Sequence, residues 1–457
     1  MNIQQLYSEA QHLSSPKLRD EIVQHLYDRS HQLCAAGVSY SNSKKDTRTE
    51  KLDAILTSPF WGFPIMIIML GTVFYLTIAG ANVPSSILAE FFGSMETYLL
   101  TFFELIKAPD WLYGVLVLGL YRGTTWVISV MLPPMAIFFP VFALLENYGY
   151  LPRVAFNMDR LFKQVGAHGK QSLTMAMGFG CNAAAVISTR IIESPRERML
   201  AILTNNFVPC NGRWGTLIVL ASLFMAANFT GGLKSLITTG FIVGIVLFGI
   251  LVTFLVSWIL SKTALRGMPT HYTLELPPYR RPKFFDTVIR SSLTKSWSVL
   301  IRAVKVAAPA AIVTWIIANV YIGDTSILMN MVQFLDPFGQ LLGLDGYIML
   351  AFLLGLPANE IVLPILLMGY LSTGSLTEVD NLVDLKKIFL DHGWTWLTAL
   401  NMMLFSLLHY PCGTTLLNIY KETKSAKWTF LAFLIPTVIA IIVPLTITQL
   451  VTRLGLI

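Results

Sequence analysis

Three of the four cysteines lie beside residues that interrupt apolar segments. Cys181 follows a Gly-Phe-Gly run and precedes Asn182, whereas Cys210 and Cys412 each follow a proline. Thiolates are soft ligands suited to Fe(II), Cu(I) or Zn, and unwound backbone carbonyls can replace the water shell of a cation. The placement predicts a metal path through these interruptions, although any one cysteine could instead be a small buried apolar side chain.

Two other titratable residues strengthen the prediction. Glu360 is an acid inside an apolar segment, which is costly and marks a functional candidate unless it pairs with a buried arginine or caps a half-helix. His409 precedes Cys412 by three residues, so a helix there would place imidazole and thiol on one face. The predicted metal-path residues are Cys181, Cys210, Cys412, Glu360, His409, Asn182 and Asn359, with Glu146, at the end of another apolar run, as a weaker candidate.

The interruptions recur in two halves of the chain. Gly178 and Asn182 have the same four-residue spacing as Gly355 and Asn359, and a Pro-Cys pair follows each of these motifs. Paired interrupted helices are typical of transporters whose site lies near the middle of the membrane. The two asparagines would supply amide oxygens to a cation, or only satisfy carbonyls that the breaks leave free.

Composition indicates the elements that must position these residues. Charged residues make up 13% of the 457 residues, and hydrophobic residues 54%, with a mean hydropathy of +0.62. Soluble domains carry about 25% charged residues, so we predict an all-α polytopic membrane protein with about eight to ten membrane segments. The net charge of +7 comes mostly from loops between apolar runs, which favours cytoplasmic loops over a nucleic-acid partner. Four cysteines in a chain of this length do not indicate a disulfide framework.

The predicted organisation has four parts. These are a polar helical segment at 1–58, a first membrane half at 59–261, a basic loop at 262–306 and a second membrane half at 307–457. The segment at 1–58 contains no signal-peptide pattern. Within it, Ser15-Pro16 predicts the start of an amphipathic helix that ends near Gly37 and must dock on the membrane, the rest of the chain or a partner.

Loop charges predict the orientation. Residues 262–305 carry nine Lys or Arg against two acids, which predicts a cytoplasmic loop, whereas 81–110 carries four acids and one lysine and suits the outer face. The 39-residue stretch 111–149, interrupted by two prolines, is expected to contain a kinked or re-entrant piece. The stretch 347–370 is expected to re-enter the side it left, with its break at Gly355-Leu356-Pro357.

The chain carries no enzymatic motif that we recognise. A P-loop at Gly169-Lys170 would need a glycine where Gln164 stands. His-Glu-x-x-His, Gly-x-Ser-x-Gly and Cys-x-x-Cys are also absent from the sequence. We therefore expect a transporter and not an enzyme.

An ordered set of motifs over about residues 50–450 resembles the membrane part of the ferrous iron transport protein B (FeoB) family. The motifs are Leu144-Leu145-Glu146, Gly149-Tyr150, Arg153, Met158-Asp159-Arg160, Gly178 to Asn182, Thr189-Arg190, Asn205 to Arg213, Glu275 to Arg280, the segment around Glu360, Tyr410-Pro411-Cys412 and Lys421-Glu422-Thr423. The resemblance implies that the cysteines of the two gate segments line an iron path. Two departures from the commoner family pattern are Ala183-Ala184 in place of Val-Pro and His409 in place of an aromatic residue.

The resemblance implies Fe²⁺ as the transported substrate, with no permanently bound cofactor. The family normally begins with a GTP-binding domain and a small helical domain, and residues 1–50 resemble only the end of the latter. We therefore expect a separate GTPase subunit or small accessory protein on the cytoplasmic side, or a form that works without one. We expect a multi-pass protein of the bacterial inner or plasma membrane, in contact with the lipid bilayer and with a cytoplasmic N-terminus. The sequence leaves open whether several copies form a homo-oligomer.

Three other functions remain open from the sequence. One is a permease for Mn²⁺ or Zn²⁺. Another is a regulatory membrane subunit of a complete iron transporter. The third is a nucleoside-type solute transporter, which would not need thiols at the breaks.

Overall fold

The chain is almost entirely helical in a computed structural model that describes residues 16–37, 47–58, 60–227, 229, 231–267, 279, 283–377, 379 and 381–455. The strands are Tyr321–Ile322 and Thr325–Ser326, which pair antiparallel with Tyr321 opposite Ser326. The predicted all-α class is confirmed. By its contacts the chain divides into two units, residues 1–52 and 53–457.

The N-terminal unit contains the predicted amphipathic helix, Pro16–Gly37. It begins at the proline because the missing N–H of that residue costs nothing in the first helical turn. Ile22, Leu26 and Tyr27 on the predicted apolar face are each more than half exposed. A second helix, Thr47–Leu56, follows.

Membrane-spanning helices account for much of the second unit. Within the described ranges, five helices are long and apolar enough to span a bilayer, and the bent pair Ile327–Leu341 and Gly346–Leu354, 110° apart, would make six. The expected eight to ten segments are reached only if shorter interrupted helices are counted as well. The five are Gly62–Leu105, Asp110–Tyr148, Leu233–Lys262, Trp297–Asn319 and Ala426–Arg453.

The first span corrects one expectation. Gly62–Leu105 is a single helix of 44 residues, so most of the expected outer loop at 81–110 is helical. At about 1.5 Å per residue it is roughly 66 Å long, about twice the ~30 Å hydrocarbon thickness. Loop charges show which residues avoid lipid, but they do not show whether those residues are coiled or helical.

The second span corrects another expectation from the sequence. Asp110–Tyr148 runs as one helical segment with a π-helical stretch at Gly114–Tyr121, so a re-entrant piece within 111–149 is wrong. Prolines are tolerated inside membrane helices because neighbouring groups satisfy the freed carbonyls. A Cβ on Gly114 would lie 2.1 Å from the Trp315 ring and one on Gly123 2.4 Å from Ala311. These glycines therefore let Trp297–Asn319 approach this span closely.

Four breaks interrupt the shorter helices as the sequence predicts. The sharp 110° turn in the second half, however, lies between Leu341 and Gly346, before the third break rather than at it. The first break is Cys181, between Gln171–Gly180 and Asn182–Ser188; the second is 205–210, between Pro195–Thr204 and Asn211–Leu220; the third is 355–358, between Gly346–Leu354 and the segment Asn359–Leu371; the fourth is 409–412, between Trp396–Leu408 and Gly413–Thr423.

Candidate metal pathway

The backbone repeats between the two halves at the breaks. Cys181 (φ −157°, ψ 117°) and Ala358 (φ −153°, ψ 122°) have almost the same extended conformation, and each precedes an asparagine that begins a half-helix. Cys210 (φ −84°, ψ 171°) is an extended N-cap residue, and Cys412 (φ −60°, ψ 157°) is the N-cap residue at the matching position of the second half. The predicted repeat therefore exists in three dimensions, and Ala358 occupies the position that corresponds to Cys181.

One small cavity lies where the four breaks meet. Its volume is about 30 Å³, which is room for one or two water molecules. Six of the residues predicted from the sequence line this cavity: Cys181, Cys210, Cys412, Asn182, Asn359 and Glu360. Residues more than 200 positions apart in the chain thus line the same cavity.

The Glu360 carboxyl group lies against the start of the helix Asn211–Leu220. A Cβ on Gly212 would be 2.4 Å from Glu360 Cδ and 2.5 Å from Oε1, so only glycine permits this approach. Free backbone N–H groups and the helix dipole favour negative charge at this end of a helix. The Glu360 carboxyl group therefore lies at the cavity, against the first turn of a helix from the other half.

His409 does not lie where its spacing predicts. The helix Trp396–Leu408 ends before it, and His409 is extended (φ −65°, ψ 171°), so the shared helical face with Cys412 is wrong. Pro411 prevents the helix from continuing to Cys412, because its ring clashes with a preceding carbonyl, it has no N–H to donate, and it disfavours helical conformation at Tyr410. The buried ring does not line the cavity; its Nε2 lies 3.3 Å from Asn359 Oδ1.

Glu146 is not brought to the cavity. It lies in the last turn of Arg122–Tyr148, its side chain is exposed, and its carbonyl accepts a hydrogen bond from the Gly149 N–H. The structure therefore separates it from the other candidates.

Arg213 was missed by the sequence prediction. It is 1% exposed and donates to four carbonyl oxygens, those of Asn206 and Leu407 at 2.9 and 2.7 Å and those of His409 and Tyr410 at 3.2 and 3.3 Å. It thereby ties the second break to the fourth. The signal was present, since an arginine in an apolar segment is as exceptional as Glu360.

Met131 and Met135 were also missed. Both are buried in Arg122–Tyr148 and line the cavity opposite the breaks. A thioether is a soft ligand, but methionine more often fills gaps in a core. Their four-residue spacing fits either role, so the sequence could not distinguish them from the other methionines.

The cavity is not a preformed chelating site. Within the part of the chain that the structure describes, no three His, Cys, Asp or Glu side chains are grouped closely enough to hold a metal ion. The candidate donors instead belong to different segments of the cavity wall.

Comparison with known families matches both halves. The profile described as "Gate: Nucleoside recognition" matches residues 128–224 and 300–426, which contain the first two and the last two breaks. The profile "Ferrous iron transport protein B C terminus" matches residues 242–293, between them. The chain belongs to the FeoB family. It carries the membrane portion of that family, as the sequence motifs predicted.

Curated FeoB relatives align along most of the chain. The Fe(2+) transporter FeoB of Staphylococcus aureus (strain MSSA476) is 30% identical over 410 residues, 88% of this chain and 59% of the relative. The Fe(2+) transporter FeoB of Methanocaldococcus jannaschii is 28% identical over 428 residues, which are 90% of this chain and 60% of the relative. A Porphyromonas gingivalis Fe(2+) transport protein A/Fe(2+) transporter FeoB fusion protein is 25% identical over 440 residues, which are 85% of this chain and 50% of the relative. The chain thus spans half to three fifths of these relatives' length. No solved structure matches.

Two FeoB-like motifs meet outside the membrane spans. Arg153 donates from Nε to Asp53 Oδ1 at 2.9 Å, Tyr279 donates from its hydroxyl to the same oxygen at 2.7 Å, and the guanidinium lies 4.1 Å from the Tyr279 ring centre. Burial acts to raise the pKa of Asp53, but the hydrogen bonds from Arg153 and Tyr279 outweigh it and hold this pKa below its usual value. Burial raises the pKa of Tyr279 to about 12. The rest of the 275–280 motif lies outside the described residues.

Two more FeoB-like motifs form an ion-pair cluster. The Glu422 side chain, 6% exposed, accepts from Arg190 at 2.6 Å and from Arg198 at 2.5 Å. The cluster joins the end of Gly413–Thr423 in the second half to two segments of the first half. The motifs Thr189-Arg190 and Lys421-Glu422-Thr423 therefore meet as a contact between halves.

Proposed function

We propose that this multi-pass membrane chain is the permease part of a FeoB-type transporter and conducts Fe²⁺ into a bacterial cell. The observation that carries the proposal is the single cavity where the breaks of both halves meet, lined by three thiols and the Glu360 carboxyl group. The family membership and the printed function of the relatives support Fe²⁺ as the ion.

Transport would proceed by exchange of ligands. Hydrated Fe²⁺ would lose water at the cavity, where Cys181, Cys210, Cys412, asparagine amide oxygens and Glu360 would replace it in turn. Sulfur ligands favour Fe²⁺ over Mg²⁺ and Ca²⁺. We place the basic segment 262–306 and the N-terminus on the cytoplasmic side, because basic loops are retained there.

The membrane potential is sufficient to drive this flow. It supplies ~2.3 kcal/mol per charge per 100 mV, hence ~4.6 kcal/mol for a divalent ion. At ~1.4 kcal/mol per tenfold ratio this sustains a gradient above about a thousandfold. A separate GTPase subunit, an accessory protein or a homo-oligomer would therefore regulate the path rather than power it, and this chain would not itself catalyse a reaction.

One alternative has an observation in its favour. The Gate profile is described by nucleoside recognition, which would suit an organic solute. A cavity of about 30 Å³ holds one or two water molecules, far less than a nucleoside, and its thiols would serve no purpose for one. We therefore rank Fe²⁺ first, Mn²⁺ or Zn²⁺ next, and a non-transporting regulatory subunit or a solute transporter last.

The test is uptake of radioactive ferrous iron by proteoliposomes that contain only this chain, with an inside-negative potential. Cys181→Ser, Cys210→Ser and Cys412→Ser should each lower the initial rate at least tenfold. Cys34→Ser is the matched control because this exposed thiol lies in the N-terminal unit, and its rate should equal that of wild type.

Two results would contradict the proposal. Folded wild-type protein without potential-dependent iron uptake would refute conduction by this chain alone. Iron uptake that persists in all three cavity variants would refute the thiol path. Addition of Mn²⁺ and Zn²⁺ as competitors establishes which ion the path prefers.

A further inference from the structure

The hydrogen bonds of His409 determine which of its ring nitrogens carries a proton. Nδ1 lies 2.8 Å from the carbonyl oxygen of Ser406 and 3.1 Å from that of Phe405. Carbonyl oxygens only accept, so Nδ1 must donate. In a neutral imidazole the other nitrogen, Nε2, then has no proton and acts as an acceptor.

Nε2 faces the side-chain amide of Asn359. Asn359 Oδ1 lies 3.3 Å from Nε2, and Asn359 Nδ2 lies 3.7 Å from Cys210 Sγ. Two acceptors form no hydrogen bond, so the contact with Nε2 becomes favourable when the amide makes a half-turn and presents its –NH₂ group to the ring. The amide oxygen then faces Cys210 and the cavity.

We propose that His409 is a positioning residue that turns the Asn359 oxygen toward the cavity, where it and Cys210 Sγ form a donor pair for the permeating cation. This inference rests on the proposed function and names two of its ligands. Metal bonds of ~2.3 Å to sulfur and ~2.1 Å to oxygen at a near-tetrahedral angle separate the two donors by ~3.6 Å. The amide nitrogen position that the oxygen would take is 3.7 Å from Sγ.

The surroundings of His409 favour support over ligation. The ring is 1% exposed and packs against Phe352 and Phe405, with ring centres 4.9 and 6.0 Å away. Its carbonyl oxygen accepts from Arg213 and Asn206. The ring and the backbone of His409 are therefore both held in place on the side of Asn359 away from the cavity. Residues that contact a ligand in this way orient it without binding the metal themselves.

The corresponding asparagine of the first half has different partners. Asn182 accepts from the Asn205 amide at 3.4 Å and donates to Asn206 Oδ1 at 3.5 Å, and among the described residues its hydrogen-bond partners include no imidazole. Asn206 Oδ1 also accepts from Arg213, and Asn206 Nδ2 donates to the His409 carbonyl, so Asn206 can only accept from Asn182 and thereby orients it. An imidazole thus orients the amide of the second half, whereas another amide orients that of the first.

The test combines two substitutions whose effects depend on each other. His409→Phe keeps an aromatic ring among its aromatic neighbours but releases the amide, and iron uptake should fall about tenfold. Asn359→Asp presents an oxygen whichever way it turns, so adding His409→Phe to Asn359→Asp should change the rate of that single variant less than twofold. An equal tenfold loss in both backgrounds would show that the ring only supports the fold, and it would overturn the inference while leaving the proposed function intact.

A second measurement does not depend on transport. Solid-state NMR of ¹⁵N-histidine-labelled protein in lipid, with His409→Phe subtracted to assign the signals, reports the protonation of both ring nitrogens. We expect a protonated Nδ1 and an unprotonated Nε2. A protonated Nε2 would overturn the inference, even in a preparation that fails to transport iron.

Discussion

At the scale of single residues, the position of the Glu360 carboxyl group depends on Gly212 having no Cβ atom. Glu360 can reach the first turn of Asn211–Leu220 only because Gly212 has no side chain. In the proposed path, the Glu360 carboxylate would attract a cation, and the helix end would stabilise its charge. Gly212 thus determines the position of a candidate acid in another part of the chain.

Gly212→Ala should displace Glu360 without harming the helix. We expect at least a tenfold fall in iron uptake by proteoliposomes, because the new Cβ would occupy the space of the carboxyl group. The midpoint of thermal unfolding in detergent should stay near that of wild type, since alanine favours helix by up to about 1 kcal/mol over glycine.

Gly215→Ala is the matched control on the same helix. A Cβ at Gly215 would meet no atom within 4 Å, so uptake should equal that of wild type. If the two variants transport iron equally well, the contact between Gly212 and Glu360 has no part in transport.

A second residue-scale prediction concerns Asp53. Its lowered pKa means that the folded protein binds a proton there less readily than the unfolded chain. The stability it contributes is therefore present above the usual aspartate pKa and is lost as the pH falls through the lowered value. Asp53→Asn should cost about 2 kcal/mol at neutral pH, because Arg153 loses a charged partner.

Thermal unfolding between neutral and strongly acidic pH checks this. The midpoints of wild type and Asp53→Asn should differ at pH 7 and converge as the pH falls below the usual aspartate range. Asp286→Asn, which alters an exposed carboxyl group, should follow wild type throughout. A difference between wild type and Asp53→Asn that is constant with pH would show that the effect is not electrostatic.

At the scale of elements, the breaks are stable because their free carbonyl oxygens have partners. In lipid, an unsatisfied carbonyl costs several kcal/mol. Arg213 donates to four carbonyl oxygens at the second and fourth breaks, and Asn206 also donates to one of them, that of His409. The planar guanidinium reaches them with two nitrogens, which a lysine ammonium cannot do.

Arg213→Lys should therefore destabilise the protein by about 3 kcal/mol, measured as a lower unfolding midpoint in detergent. The matched control is Arg190→Lys, which alters an exposed arginine that pairs with Glu422 and should cost about 1 kcal/mol or less. Equal effects of the two substitutions would contradict the role given to Arg213.

At the scale of the whole molecule, two halves with similar backbones line one cavity with different side chains. Three of the four corresponding positions carry a thiol, and Ala358 is the exception. In the proposed path, an ion would therefore meet sulfur on more than one wall without being enclosed by four thiols. Weaker binding of this kind would permit the ion to leave.

Ala358→Cys should make the cavity bind metal ions more tightly and release them more slowly. A fourth thiol at the position that matches Cys181 should tighten Zn²⁺ binding at least tenfold in isothermal titration and slow iron uptake, because thiolates bind Zn²⁺ strongly. Ala185→Cys, a buried position in the half-helix Asn182–Ser188 that does not line the cavity, should leave both unchanged. Unaltered Zn²⁺ affinity in Ala358→Cys would contradict the correspondence of the two halves.

The sequence by itself determined the class and much of the site. Few charges and long apolar runs require a membrane protein, and glycine, proline and asparagine at matching positions located all four breaks. Six of the eight predicted residues line one cavity, since residues that interrupt helices in lipid must be buried within protein or line a cavity. The FeoB motifs likewise predicted the family that the comparisons show.

The tertiary structure alone decided which side chains face one another. His409 lies behind Asn359, and Glu146 lies elsewhere. Met131 and Met135 line the cavity, and Arg213 joins two of the breaks, although the spacing of these residues did not mark them. It also showed that 81–105 is helical and that 111–149 is one span. The reason is physical: local patterns reflect the burial and conformation of a segment, whereas contacts between halves depend on packing across more than 200 residues of chain.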